Sequence, residues 1–255
     1  MQELTYQAAF VLHSRPFKEN QAIMEVLVAD EGRMSLVAYK GSKKNSGRNA
    51  LMQPFRPLRL QIRKDSGLRK LVAIEAAFDA PDAIHLKGKT LYCGFYLNEL
   101  ICRLCPADAL FPELYSIYRE CLVRLQNLTL EHDAFERQLQ WQLRRFEFRL
   151  LELMGYGLNL THEADSGTQI DPYGHYLLTL KGFVQCTKSN QTIAGHHLLD
   201  LSIRLQDDEA ECREPVSTYG DSNAILSVAK WVLRHSLHRH LGDKPLKSRE
   251  LFRTR

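Results

Sequence analysis

The sequence predicts an α+β protein: a five-stranded closed barrel at the amino end, followed by an α-helical domain with a small irregular insertion. Three observations carry that expectation. Between residues 6 and 78, apolar side chains come in five short runs, several alternating with polar ones and punctuated by Gly, Pro, Asp and Ser. From about residue 89 the apolar positions recur every third and fourth residue. Charge is partitioned along the chain: residues 1–80 hold 13 Lys/Arg against 8 Asp/Glu, residues 81–229 hold 13 against 20, and residues 230–255 hold 8 against 2. Basic ends around an acidic middle point to a polyanion met at the ends.

The first strand is expected over residues 6–14, with Ala8, Phe10, Val11 and Leu12, and Pro16 is expected to break it because proline cannot donate to a ladder. The second covers residues 22–29, with Ile23, Val26, Leu27 and Val28, and Asp30-Glu31-Gly32 turns the chain into the third. In that third strand Met34, Leu36 and Ala38 point one way, and Arg33, Ser35, Val37 and Tyr39 the other. Residues 40–48 then read as an irregular Gly/Ser-rich loop with four cations, Lys40, Lys43, Lys44 and Arg48, and no acid. Such a loop suits a polyanion backbone, and taken alone it equally suits plain solvation. Pro54 and Pro57 bracket an extended piece. Leu58, Leu60 and Ile62 alternate with Arg59, Gln61 and Arg63 in a fourth strand, Asp65-Ser66-Gly67 makes a hairpin turn, and residues 68–78 form the fifth.

Five strands in about 75 residues fit a small barrel of the oligonucleotide-binding (OB) type better than a sandwich. The ligand of such a barrel crosses strands 2 and 3, flanked by the 1–2 and 4–5 loops. Here those loops carry Arg15 and Lys18, and Lys64, Arg69 and Lys70; Arg33 lies on strand 3. Phe17 and Tyr39 are available to stack on bases, with core packing as the other reading of each ring.

Ala80-Pro81-Asp82 marks the expected boundary between a barrel domain, residues 1–80, and a helical domain, residues 81–255. Helices are expected over residues 89–105, 114–128 and 133–154, the last closed by Gly155 and Gly157. Residues 158–190 read as irregular, with one short strand-like piece at 176–180. A short helix follows at 195–205, then the acidic run Asp207-Asp208-Glu209-Ala210-Glu211, read as a solvated loop. A last helix covers residues 223–241, Gly242 caps it, and the tail that follows is basic through Lys244, Lys247 and Arg249.

Motifs for catalysis are absent: the sequence has no GxxxxGK[ST], no GxSxG, no HExxH and no helix-opening GxGxxG. Cys102-x-x-Cys105 stands near the end of a helix, where the dipole disfavours thiolate, and reads as two core thiols. His162, Asp165, His175 and Cys186 have metal-ligating side chains at spacings that match no common zinc pattern. Glu147 and Glu152 sit among Arg144, Arg145 and Arg149 and read as partners in surface ion pairs. No enzyme is expected, and no cofactor. No apolar run reaches the roughly 18 residues of a membrane span. The first residues lack a signal-peptide layout, so a cytoplasmic, nucleoid-associated protein is expected.

Three stretches carry a resemblance. They are Ala9-Phe10-Val11-Leu12-His13-Ser14-Arg15-Pro16-Phe17, running on through Gly32-Arg33-Met34-Ser35-Leu36-Val37-Ala38 and the basic loop; Leu143-Arg144-Arg145-Phe146-Glu147, leading to Leu153-Met154-Gly155-Tyr156-Gly157-Leu158-Asn159; and Lys244-Pro245-Leu246-Lys247-Ser248-Arg249. In these the chain resembles the bacterial DNA repair protein RecO family of recombination mediators. The resemblance implies an OB-fold and a helical domain, binding and annealing of single- and double-stranded DNA, and RecR as a partner. It also implies help in loading RecA onto single strands covered by single-strand binding protein (SSB).

Many family members hold a four-cysteine zinc module after the Gly-Tyr-Gly element. Its first cysteine pair would fall at Glu163 and Ser166, and of the second pair only Cys186 is a candidate to survive, so no zinc is expected. The insertion is thus a degenerate form of that module. The acidic, carboxylate-ended SSB tail needs an apolar groove rimmed by cations. Leu143, Phe146 and Leu150, flanked by Arg144, Arg145 and Arg149, are the candidates for it, against the alternative that these arginines only pair with acids. The free protein is expected to be a monomer. A non-enzymatic adaptor whose basic surfaces bind acidic partners such as the SSB tail is the second expectation.

Overall fold

The structure, a computed structural model, describes residues 5–40, 46–64, 68–77, 84–129, 134–187, 189–206 and 222–252. By compactness the chain forms two units, residues 1–128 with 244–255, and residues 129–243. The division expected at residue 80 falls inside the first of these.

The barrel has β1 (Gln7–Phe17), β2 (Gln21–Val28), β3 (Gly32–Tyr39), β4 (Leu58–Arg63) and β5 (Arg69–Ala76), in the order β1-β2-β3-β5-β4. It closes where Gln7, Ala8 and Ala9 pair with Leu60, Arg59 and Leu58. The one parallel contact joins Leu36 and Val37 of β3 to Arg69 and Lys70 of β5. Alternation fills the interior as the sequence suggests: Val11, Met24, Val26, Met34, Leu36, Leu58 and Leu60 are buried in one cluster.

Four local expectations need correction. β1 does not stop at Pro16, which pairs with Ala22. At that point β1 is bonded to β2 but not to β4, so a proline costs no ladder bond on the open side. Second, part of the stretch read as irregular loop is a short helix, α1 (Ser46–Leu51); residues 41–45 lie outside the described residues. Third, Pro54 and Phe55 stand in a turn rather than in an extended piece, with Phe55 at φ 69° and its ring buried. Fourth, residues 158–190 hold two short strands, His175–Leu178 and Phe183–Cys186, rather than one strand-like piece; they are described below with the second unit. The turn at Asp65-Ser66-Gly67, the boundary at Ala80-Pro81-Asp82 and the acidic run at 207–211 lie outside the described residues.

Two helices complete the first unit, α2 (Gly88–Leu104) and α3 (Pro112–Asn127). They cover the outer face of the barrel rather than standing apart from it. Phe10, outward on β1, is held between Tyr115 and Tyr118, each with its ring centroid 5.2 Å away. Asn98 donates to the Leu12 carbonyl at 2.8 Å and accepts from the Tyr118 hydroxyl at 2.6 Å. Gly32 lies at φ 74°, and a Cβ there would stand 2.4 Å from the Ala109 carbonyl oxygen, so turn and contact both demand glycine. The tail returns to the same unit as a 3-10 helix (Lys247–Phe252) docked on α2.

The second unit contains α4 (Phe135–Leu153), a three-stranded sheet of β6 (His175–Leu178), β7 (Phe183–Cys186) and β8 (Ile193–Ala194), then α5 (Gly195–Gln206) and α6 (Ser222–Leu241). The sheet order is β7-β6-β8, all antiparallel. This sheet is the order that the sequence hid. Its strands have four, four and two residues, too short for alternation to register, yet Tyr176, Phe183 and Ile193 are buried. Among the described residues no helix is long and apolar enough to cross a membrane.

Candidate nucleic-acid interface

Every antiparallel pair of β2 and β3 puts alternate side chains on the outer face of the barrel. Across that face the register aligns Leu27 with Arg33, Glu25 with Ser35, Ile23 with Val37 and Gln21 with Tyr39. The first end of this row is closed. Leu27 is fully buried, and Arg33 donates to the Glu25 carboxylate at 2.6 Å and to the Cys105 carbonyl at 2.9 Å. Ser35 donates to the other oxygen of the same carboxylate at 2.6 Å. Arg33, named as a DNA-binding candidate, is therefore a link between barrel and helices, with its guanidinium engaged by Glu25 and Cys105.

That other end is open. Phe17 pairs with Gln21 and Gln21 with Tyr39, which sets two aromatic residues in one row across β1, β2 and β3. Tyr39 is 54% exposed, as a stacking platform must be, while Phe17 is half-buried with the Lys18 ammonium 5.6 Å from its centroid. Lys18 occupies the β1–β2 turn at φ 46° and is exposed, as is Arg15. Lys40 follows Tyr39 directly, and its N–H donates to the Asn20 carbonyl at 3.0 Å, which pins this end of the hairpin. On the β5 side Lys70 pairs with Val37 and with Arg63, and both cations are exposed. Arg63 was not among the sequence candidates; its outward place in the β4 alternation was the available signal.

Two further candidates are engaged by acids. Lys64 meets Glu31 at 2.7 Å, and Arg69 is paired with Asp108. Burial pushes the Glu31 carboxyl up, but the contacts from Lys64 and Gln7 outweigh it and hold it below the usual range. Lys43 and Lys44 lie outside the described residues. Arg48 is placed on α1 by its backbone.

The tail candidates are anchored at the backbone. The Glu99 carboxylate accepts from the Lys247 and Ser248 N–H groups at 2.9 and 2.8 Å and from the Ser248 hydroxyl at 2.6 Å. These fill orphan donors at the start of the 3-10 helix. Burial raises Glu99, but the Ser248 and Lys247 bonds, with Arg103 nearby, bring it below the usual range. Lys244 and Lys247 remain exposed and Arg249 is half-buried.

The arginines of α4 differ most from expectation. Every residue from Trp141 to Phe148 is buried, including Arg144, Arg145 and Glu147. Leu143, Phe146 and Leu150 form no open groove, and only Arg149 of this set is half-exposed. The ion pair expected at the surface is internal: Arg144 donates to Glu147 at 2.7 Å, with side chains 8% and 0% exposed. Arg145 donates to the Arg204 carbonyl at 3.0 Å. Two donors of Arg144, Nε and Nη1, are buried without a hydrogen-bond partner among the described residues.

Burial pushes the Cys102 thiol up to about 11 and the Cys105 thiol up to about 12 despite the nearby Arg33. Neither is a nucleophile at neutral pH. Leu12, Phe95, Cys102 and Leu251 line a cavity of about 610 Å³, whose Glu25 and Glu99 carboxylates are both engaged in the bonds above.

Zinc does not fit the residues of the insertion. Where a first cysteine pair would stand, the Glu163 carboxylate instead accepts from the Ser166 hydroxyl and from the Gln185 N–H at 2.7 Å. These contacts hold its carboxyl below the usual range. A carboxylate–hydroxyl staple thus ties this loop to β7 beside Cys186, and the donor set lacks the thiolates a structural zinc requires. Among the described residues no three His, Cys, Asp or Glu side chains converge.

Comparison with known proteins bears on the whole chain. The family described as Recombination protein O N terminal matches residues 1–78, and Recombination protein O C terminal matches residues 85–250. A protein of Actinobacillus succinogenes named DNA repair protein RecO is 36% identical over 250 residues, covering 97% of this chain and 95% of that protein. Proteins of the same name from Pasteurella multocida and Salmonella paratyphi B are 34% and 38% identical, covering 97% of this chain and 94% and 93% of their own lengths.

Proposed function

Because the chain belongs to the RecO family of DNA repair proteins, we propose that it acts as a non-enzymatic recombination mediator that binds and anneals DNA strands. In this reading it helps, with RecR, to load RecA onto single strands covered by SSB. The observation that supports it most is the open end of the barrel. There Tyr39, Lys18, Lys40 and Lys70 occupy neighbouring positions of the register, past the end of β2 and β3 that the Arg33 contacts close. A nucleic-acid strand binds such a surface through phosphate contacts and base stacking, and it does so without sequence preference. In sequence, Lys43, Lys44 and Arg48 follow β3 directly after Lys40. Replacing Lys43, Lys44 and Arg48 together with Ala tests it. Each lost phosphate contact removes about 0.7 from the slope of log affinity against log salt for single strands. An unchanged slope and affinity would show that the loop is only solvated.

The second reading, an adaptor for the acidic SSB tail, keeps one supporting observation. Arg144 holds two buried donors with no acceptor among the described residues, and a carboxylate brought to them would remove a desolvation penalty. With the apolar stripe closed, such a tail would need side chains of α4 to move. Fluorescence anisotropy of a labelled SSB-tail peptide separates the readings. Arg144→Ala loses the peptide and keeps DNA if both hold, and keeps both ligands if the tail docks elsewhere.

A further inference from the structure

Outside the barrel, α6 carries an unusual surface. Its 20 residues, from Ser222 to Leu241, include no acid. The buried side is apolar through Ile225, Ala229, Val232, Leu233 and Leu237. Opposite it, Lys230, Trp231, Arg234, His235 and His238 are exposed, at spacings of three and four that bring them to one face. Exposed Arg239 extends the face and is steadied by donating to the Thr179 carbonyl at 3.0 Å. Trp231 is 43% exposed and lies nearly parallel to the His235 ring, with centroids 5.4 Å apart and planes 10° apart. Burial first, then Arg234 and Arg144, lower the proton affinity of the Lys230 amine. A solvent-facing helix normally interleaves acids with its bases, whereas here the Trp231 indole stands among cations.

We propose that this face of α6 is a second binding surface for single-stranded nucleic acid, taking phosphates on Lys230 and Arg234 and a base on the Trp231 indole. From Lys230 to His238 the helix rises about 12 Å, the length of roughly three to four stacked nucleotides. The exposed indole favours a strand with bases over an acidic peptide, since every base offers a face to stack on. The inference rests on the annealing reading: annealing needs two strands on one protein, and the barrel end supplies a place for one.

The chain's two tryptophans make the test direct. Trp141 is buried at 2% exposure and Trp231 is exposed, so the difference spectrum between the parent protein and Trp231→Phe isolates the surface indole. Titration of the full-length protein with an oligothymidylate should quench that component strongly. Polyglutamate of matched charge should leave it unchanged. Lys230→Ala combined with Trp231→Ala should slow annealing of dye-labelled complementary strands at least tenfold, while affinity for one strand stays within twofold of the parent. No quenching of Trp231, equal quenching by polyglutamate, or parental annealing by the double variant would each overturn the second surface. A parent protein that anneals no strands would instead remove the reading on which it rests. The quenching result concerns the unmodified surface, so it decides the matter even if the double variant folds poorly.

Discussion

Two groups of cations in this chain look alike in sequence and end in opposite environments. At the open end of the barrel, Arg15, Lys18 and Lys70 are exposed, beside a strand whose alternation is already spent on the core. On α4, Arg144 and Arg145 are inside, in an unbroken run of eight buried residues from Trp141 to Phe148. A strand has two faces and can give one to water. A helix surrounded by other elements has none left over, so its charges go in with their partners. Charge shows where a cation can act only after packing has decided whether it reaches solvent. The barrel cations therefore reach solvent, where phosphate can meet them, whereas Arg144 and Arg145 are part of the fold.

The comparison breaks most sharply at Glu147. Glu147→Gln leaves the Arg144 guanidinium buried against a neutral partner, and removing one member of a buried pair costs about 3–5 kcal/mol. Denaturant unfolding should show a loss of that size, while Lys18→Ala should stay within about 0.5 kcal/mol of the parent. A loss under 1 kcal/mol at Glu147 would mean that the α4 arginines are solvated after all.

Glu99 lies between the two extremes, half-buried and bonded to the tail. Its carboxyl is held below the usual range, so the unfolded chain binds the extra proton first on acidification. The stability it contributes is present above the ordinary glutamate value of about 4.3 and is lost as pH falls through that value toward the lower folded one. Glu99→Gln should lower stability at pH 7 by about 1.5 kcal/mol, the scale of hydrogen bonds to a charged group. It should also flatten stability against pH between 5 and 3. A parental acid profile in the variant would show that Glu99 does not hold the tail.

The smallest effect belongs to a pair fully at the surface. Arg59 and Glu75 face each other across β4 and β5 at 3.8 Å, with side chains 45% and 36% exposed. A double-mutant cycle should give under about 1 kcal/mol. Comparing that coupling with the Arg144–Glu147 coupling measures the same chemistry in and out of water.

Much of this was legible in the sequence. The five barrel strands and the helices α2 to α6 followed from periodicity and turn residues, because each element exposes one face and buries the other. Three things were not. The β6–β8 sheet is built from runs too short to show a period. The covering of the barrel face by α2 and α3 depends on contacts such as Asn98 with Leu12 and Gly32 with Ala109, whose partners lie far apart in the chain. The burial of Arg144, Arg145 and Glu147 was misread because an i, i+3 ion pair has the same spacing inside a protein as on its surface. Among the candidate cations, Arg15, Lys18 and Lys70 kept the exposure expected of them. Arg33, Lys64 and Arg69 had acids waiting that only the fold brings near.

The central claim is that nucleic acid docks at the open end of the barrel around Tyr39. Salt-dependent titration of a single-stranded oligonucleotide, with the parent and with a Lys18→Ala, Tyr39→Ala, Lys40→Ala variant, tests it most directly. Two lost phosphate contacts should reduce the log–log salt slope by roughly 1.4. The lost stacking should cost a further ~1–3 kcal/mol of affinity at every salt concentration, with the melting temperature unchanged. Parental slope and affinity in that variant would contradict the account and move the site away from the barrel.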